Sequence, residues 1–247
     1  MFSYRLLAIS YFQKMTHIIR NRQRSSKLAV IFDLDGLVLD TEKIAKDSWI
    51  KAVNDFGYSI TESLYLQMIG RTLGDIEDMF LQFYSSGFPF DQVRTRSYFY
   101  IDQQYKQKGI STKPGLQNLL AFIKTNEIEK AIASSSSRAM INKKLKRAKI
   151  TDLFNMIVSG EDVAFGKPAP DIFIEASRIL NIDPKNCVVL EDSPVGIMAA
   201  KRAQMVSIWV PDLVRLNFDD FMNPDYTVAS LFEVPEILNS LIEQREM

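Results

Sequence analysis

Apolar residues along the chain fall into two alternating kinds of run. Short, near-continuous runs stand at Leu28–Phe32, Lys130–Ala133, Met156–Val158, Cys187–Leu190 and Val206–Val210. Continuity, rather than in-and-out alternation, is what a strand covered on both faces requires, so these five predict a parallel sheet. Longer segments between them have a helical period. Ile172, Phe173, Ala176, Ile179 and Leu180 fall at i, i+1, i+4, i+7 and i+8, which places them on one helical face. Strands alternating with helices predict an α/β fold, a doubly wound, Rossmann-like parallel sheet.

The spacing of the first two strands breaks that rhythm. Roughly a hundred residues separate them, where a crossover needs about a dozen. Within this stretch Ala45, Trp49, Ala52, Val53 and Phe56 mark another helical face, stopped by Gly57, and the sequence to Gly109 stays helical in character, rich in Gln and aromatics, with no strand pattern. The expectation is a small helical domain over 43–109, inserted into a sheet core made of 27–42 and 110–247. The chain would re-enter the core at Lys113-Pro114-Gly115. Residues 1–26 form a basic N-terminal extension, expected to be disordered or to precede a start at Met15, with a mitochondrial-type presequence as the alternative.

Composition narrows the chemistry. The 247 residues carry 30 bases and 30 acids, which gives no electrostatic case for nucleic-acid binding, and no apolar run approaches a membrane span. Arg5, Lys14, Arg20, Arg22, Arg24 and Lys27 lie in a segment without acids; removing these six bases leaves 24 against 30 acids, so the remainder has a net charge of −6. The single cysteine, Cys187, sits in an apolar run and reads as a buried small hydrophobe in a reducing, cytoplasmic setting. The single histidine, His17, belongs to the basic leader. The body therefore has no histidine for zinc binding, a Ser-His pair or acid/base work.

What remains are carboxylates, hydroxyls and lysine at the ends of predicted strands. Asp33-Leu34-Asp35-Gly36 follows the first, where open α/β sheets bind ligands, although Asp and Gly are also ordinary turn residues. Glu191-Asp192 ends the fourth strand in the same way. Carboxylates crowded into one crevice are costly unless a cation neutralises them, and an all-oxygen donor set points to Mg²⁺. Ser134 after the second strand and Lys167, in Gly166-Lys167-Pro168-Ala169-Pro170 after the third, are suited to holding phosphoryl oxygens. Taken singly, a serine cluster reads as a polar loop and a Lys between Gly and Pro as a solvated turn.

Taken together, these residues make the chain resemble the haloacid dehalogenase-like hydrolases, specifically the β-phosphoglucomutase-like and pseudouridine-5′-phosphatase-like branch. Asp33-Leu-Asp35-Gly36-Leu-Val-Leu-Asp40-Thr41-Glu42, Ser134, Gly166-Lys167-Pro168-Ala169-Pro170-Asp171 and Glu191-Asp192-Ser193-Pro194-Val195-Gly196 occur in the family's order across about residues 28 to 210. The resemblance implies that the helical insertion is a cap domain. It further implies that Asp33 is the nucleophile, forming an aspartyl-phosphate, and that Asp35 is the general acid and then the base. Mg²⁺ would be held by Asp33, the Asp35 carbonyl and Asp192, with Glu191 ligating or orienting, while Ser134 and Lys167 bind the transferring phosphoryl group.

Two positions depart from the branch pattern. Gln204 stands where a Gly is usual before the last strand. Ala45 stands where sugar-phosphate mutases of the branch carry a histidine in the first cap helix. Water then becomes the expected phosphoryl acceptor. The expected function is a Mg²⁺-dependent phosphatase acting on a small phosphorylated metabolite, a sugar phosphate or a nucleoside monophosphate-like ester, in a monomeric protein. The alternatives are a sugar-phosphate mutase and a non-catalytic binding protein on the same fold. Arg71, in Gly70-Arg71-Thr72, is placed equally well against an anionic substrate or at a solvated helix end.

Overall fold

The computed structural model describes residues 27–214 and 223–246; the extension at 1–26, with His17, lies outside them. β1 (Ala29–Phe32), β2 (Glu129–Ser134), β3 (Ile157–Ser159), β4 (Cys187–Glu191), β5 (Val206–Trp209) and β6 (Tyr226–Thr227) form one parallel sheet in the order β3-β2-β1-β4-β5-β6. The five predicted strands are present to within a residue or two. The two-residue β6 is too short to leave a periodic signal.

The all-apolar strands are explained by the two faces they serve. On one face Val30 and Phe32 of β1, Ile132 of β2 and Val188 and Leu190 of β4 share a core with Leu116, Leu119 and Ile123 of α5 (Leu116–Thr125), Ile141 and Leu145 of α6 (Arg138–Arg147) and Leu238 of α9 (Val234–Glu246). The alternate residues, Ala29, Ile31, Ala131, Ala133, Cys187 and Val189, point the other way, onto Ile172, Phe173 and Ala176 of α7 (Asp171–Leu180) and Ala199 and Ala200 of α8 (Pro194–Arg202). Cys187 is a buried core residue, as its apolar neighbours imply.

Between β1 and β2 the chain forms α1 (Glu42–Asp55), α2 (Glu62–Met68), α3 (Leu73–Tyr84) and α4 (Phe90–Lys108). The α1 stripe read from sequence buries Trp49, Ala52 and Val53 in a separate cluster with Tyr65, Met68, Phe80, Phe88, Phe90 and Val93. Phe80 is its centre, with ring centroids 5.0 Å from Phe88, 5.6 Å from Phe90 and 5.7 Å from Trp49. The chain leaves and re-enters the sheet side by side, the Asp40 N–H donating to the Ser111 carbonyl (2.9 Å) and the Lys113 N–H to the Val38 carbonyl (3.0 Å).

Gln204 is left-handed at φ 58°, closing α8 as the Gln204 N–H reaches the Lys201 carbonyl and the Met205 N–H the Ala200 carbonyl. A residue with a Cβ costs about 1 kcal/mol there relative to Gly, a local stability cost remote from the crevice.

Candidate functional site

The strand order turns at β1 and β4, whose neighbours run outward in opposite directions, so the loops leaving the carboxyl ends of these strands flank a crevice. Asp33 is the first residue beyond β1, fixed by its N–H donating to the Leu190 carbonyl of β4 at 3.1 Å. Glu191 ends β4 and Asp192 follows it. Carboxylate oxygens of Asp33, Glu191 and Asp192 all lie within 4.8 Å of one another, and all three side chains are buried. The sheet register therefore converts two motifs more than 150 residues apart into one anionic cluster.

Lys167 penetrates this cluster from the β3–α7 loop. Its ammonium is fully buried and donates to Asp33 Oδ1 and Glu191 Oε1, each at 2.5 Å, and to the Ala133 carbonyl at 3.3 Å. The other Glu191 oxygen, Oε2, accepts from the Ser193 N–H (3.1 Å) and hydroxyl (2.9 Å). Both Glu191 oxygens are thus occupied by the protein itself. Asp192 is the least compensated member. Burial, with the charges of Asp33 and Glu191, pushes its carboxyl well above the usual range. Asp33 is raised to about 7, chiefly by burial, with Lys167 opposing. One lysine among three buried carboxylates leaves room for a further positive charge, and oxygen donors at this spacing suit a hard divalent cation such as Mg²⁺.

Glycine makes the approach possible. Gly36 has φ +81°, and a Cβ on it would sit 2.0 Å from Asp192 Oδ2, so no other residue lets the β1 loop pass this close.

Asp35, two residues past Asp33, has separate partners. Its Oδ1 accepts from the Thr41 hydroxyl at 2.8 Å and its Oδ2 from the Ser136 hydroxyl at 3.2 Å, while Lys144 Nζ donates to both at 2.7 and 2.6 Å. Burial pushes Asp35 upward, but Lys144 and these hydroxyls outweigh it and hold the carboxyl below its ordinary value. Glu42, buried next to it, shows the opposite balance. Burial and the Asp35 charge raise it to about 8, opposed by the Lys144 charge and by the Tyr65 hydroxyl, 3.2 Å from Oε2.

A cavity of about 540 Å³ opens above these groups, walled by the sheet loops on one side and by the inserted helices on the other. Asp33, Asp35 and Ser134 line it, as do Ser135, Ser136, Lys144, Arg71, Ala45, Tyr98 and Tyr105. Lys167, Glu191 and Asp192 are buried and do not line it, so Asp33 is the member of the cluster that reaches the cavity. The insertion touches the sheet loops directly. The Ser135 hydroxyl donates to the Gly70 carbonyl at 2.8 Å, and a Cβ on Gly70 (φ +79°) would lie 2.3 Å from Ser193 Oγ. Arg71 lines this wall, its Nε donating to the Gln67 carbonyl at 2.9 Å.

All six residues singled out in the sequence, Asp33, Asp35, Ser134, Lys167, Glu191 and Asp192, therefore converge. Lys144, Ser136 and Glu42 were not singled out. Glu42 ends a motif already quoted and Ser136 belongs to the serine cluster Ser134–Ser137, but Lys144 belongs to the run Lys143-Lys144-Leu145-Lys146-Arg147, where sequence offers nothing to separate it from its solvated neighbours.

The sequence pattern of the haloacid dehalogenase-like hydrolases matches residues 30–210. A bifunctional riboflavin kinase/FMN phosphatase of Arabidopsis thaliana is 30% identical over 226 residues, which cover 91% of this chain and 56% of that protein. A phosphorylated carbohydrates phosphatase of Thermotoga maritima is 27% identical, over 87% of this chain and 98% of its own length. Among solved structures, a β-phosphoglucomutase from Clostridium difficile superposes with a TM-score of 0.75 at 25% identity, covering 88% of this chain and 98% of that one.

Proposed function

We propose, for a chain that belongs to the haloacid dehalogenase-like hydrolases and acts as a phosphoric monoester hydrolase, that it is a Mg²⁺-dependent phosphatase of a small phosphorylated metabolite working through an aspartyl-phosphate. The observation that carries this reading is the division of labour between the two carboxylates lining the cavity. Asp33 is joined to Lys167 and the buried acidic cluster, whereas Asp35 is held apart from that cluster by hydroxyls and Lys144.

Asp33 is the nucleophile. Its carboxylate attacks phosphorus in line with the leaving oxygen, so one hard displacement becomes two easier ones. Asp35 donates a proton to the leaving oxygen and then takes one from the water that hydrolyses the aspartyl-phosphate. Lys144 and the two hydroxyls favour the ionised form of Asp35, and a negative phosphoryl group arriving beside it raises its proton affinity, so the acid form is made where it is used. Ser134 and Lys167 hold phosphoryl oxygens and offset their charge in the transition state. Asp33, Asp192 and the Asp35 carbonyl would hold Mg²⁺, which when bound supplies charge neutralisation to the phosphoryl group. The occupied oxygens of Glu191 favour its orienting role over direct ligation. Residues 43–109 act as the cap that excludes water and selects the substrate, with Arg71 facing an anionic part of it.

Ala45 lines the cavity without any proton-transferring group, which supports water over a sugar hydroxyl as acceptor. The test is a screen of sugar phosphates and nucleoside monophosphates with Mg²⁺ and with EDTA, read as released phosphate. β-Glucose 1-phosphate with a trace of the 1,6-bisphosphate forms the mutase arm. Metal-dependent phosphate release is expected. Glucose 6-phosphate accumulating faster than phosphate in ³¹P NMR would replace the hydrolase reading with the mutase one, and no reaction with any ester would favour a non-catalytic binding role.

A further inference from the structure

Lys144 is left without a role by the scheme above. Its side chain is 12% exposed, and its ammonium lies 2.7 and 2.6 Å from the two oxygens of Asp35. Thr41 holds one of those oxygens and Ser136 the other, so among the described residues that donate to Asp35, Lys144 is the one that bridges both. Two separate hydroxyls, one on each oxygen, can swing as the carboxylate turns about its terminal torsion, which has a broad, shallow preference, whereas one ammonium shared by both oxygens fixes the plane. Lys144 is itself well placed to act as a fixed point. Its neighbours on α6, Lys143 and Arg147, ion-pair at 2.8 and 2.7 Å with Asp102 of α4, tying the helix that carries Lys144 to the inserted helices.

We propose that Lys144 is the positioning residue for Asp35, holding the plane of its carboxylate toward the cavity without itself touching the reacting atoms. The inference rests on the assignment of Asp35 as acid and base. It also implies that α4, through Asp102 and α6, helps to set where Asp35 stands.

The experiment is a double-mutant cycle with Asp35→Asn and Lys144→Met, measuring kcat and KM on an alkyl phosphate and on p-nitrophenyl phosphate. Lys144→Gln and Lys144→Arg would be run in parallel, and thermal melts would confirm folding. Lys144→Met is expected to lower kcat for the alkyl ester by about 10- to 100-fold, the scale of a misplaced catalytic group, with KM changed less than about 3-fold. The p-nitrophenyl ester, which needs less protonation, should lose less in phosphoenzyme formation. In the Asp35→Asn background the same change should cost less than about 3-fold, because the group being positioned is gone. Lys144→Arg should recover part of the loss.

An equal loss in both backgrounds would overturn the proposal, since Lys144 would then act elsewhere. So would a loss confined to KM, which would make it a substrate contact, or no loss at all. A wild-type protein inert toward every ester would instead overturn the phosphatase reading, and this inference with it.

Discussion

The Lys167 ammonium, fully buried, lies 2.5 Å from the Asp33 carboxylate, although 134 residues separate them in the chain. The same ammonium holds Glu191 at 2.5 Å, so a single cation joins carboxylates from two adjacent strands. Burial works against the charge on Lys167, yet Asp33 and Glu191 more than compensate and raise its pKa. The balance is mutual, and several outcomes depend on it.

Replacing Lys167 with Met leaves Asp33, Glu191 and Asp192 buried together without a cation. Uncompensated buried charge costs about 3–5 kcal/mol, so the variant should unfold at much lower denaturant than wild type near pH 7.5. Saturating Mg²⁺ should recover part of the difference. Urea titrations with and without Mg²⁺ provide the measurement; equal stability of the two proteins in EDTA would show that the cluster does not rely on this lysine.

Asp33→Asn keeps the size of the side chain but cannot form a phosphoenzyme. Turnover should fall by at least about 10⁴-fold while circular dichroism and the melting profile stay native. Beryllofluoride should protect wild type and not the variant. Activity above about one hundredth of wild type in a pure preparation would remove Asp33 from the nucleophile's place.

Cation binding must displace protons from this cluster. With Asp33 raised to about 7 and Asp192 also raised, the metal-free site is increasingly protonated as pH falls through neutrality. The Mg²⁺ concentration for half-maximal activity should therefore rise as pH drops below about 7, by up to about tenfold per pH unit for one displaced proton. Calorimetry in buffers of different ionisation enthalpy should show proton release on binding. A pH-independent Mg²⁺ requirement between pH 6 and 8 would contradict these shifts.

Glu42 gives a stability prediction of the opposite sign to that of a salt-bridged acid. Its folded-state pKa is about 8 against an ordinary 4.5, so between those values the folded protein binds more protons than the unfolded chain. The Glu42 contribution to stability is thus best at acid pH and is lost as pH rises through 8. Glu42→Gln removes that dependence. In metal-free buffer it should be more stable than wild type at pH 8.5, on the order of a few kcal/mol, with the gap closing toward pH 5. Parallel pH profiles of unfolding for the two proteins would refute it.

The sheet was legible in the sequence because its strands are buried on both faces. Such strands must be continuously apolar, and Ala29-Val30-Ile31-Phe32 and Cys187-Val188-Val189-Leu190 announce themselves without knowledge of their partners. The helical nature of the insertion and the face of α1 carrying Trp49, Ala52 and Val53 were legible for the related reason that burial on one side leaves a 3.6-residue period. The six site residues could be picked out because each follows a strand or lies in a motif whose spacing is local. Lys144 could not. Whether a lysine in a basic helical run faces water or Asp35 depends on how α6 lies on the sheet and where the β1 loop brings Asp35, and both are set by packing between segments distant in the chain. The same holds for Glu42, whose raised pKa comes chiefly from burial in the folded protein, with the nearby Asp35 charge adding to it. Local patterns encode which residues are buried and in what element, whereas the charge each group carries depends on the three-dimensional company it keeps, because desolvation and Coulomb terms act through space rather than along the chain.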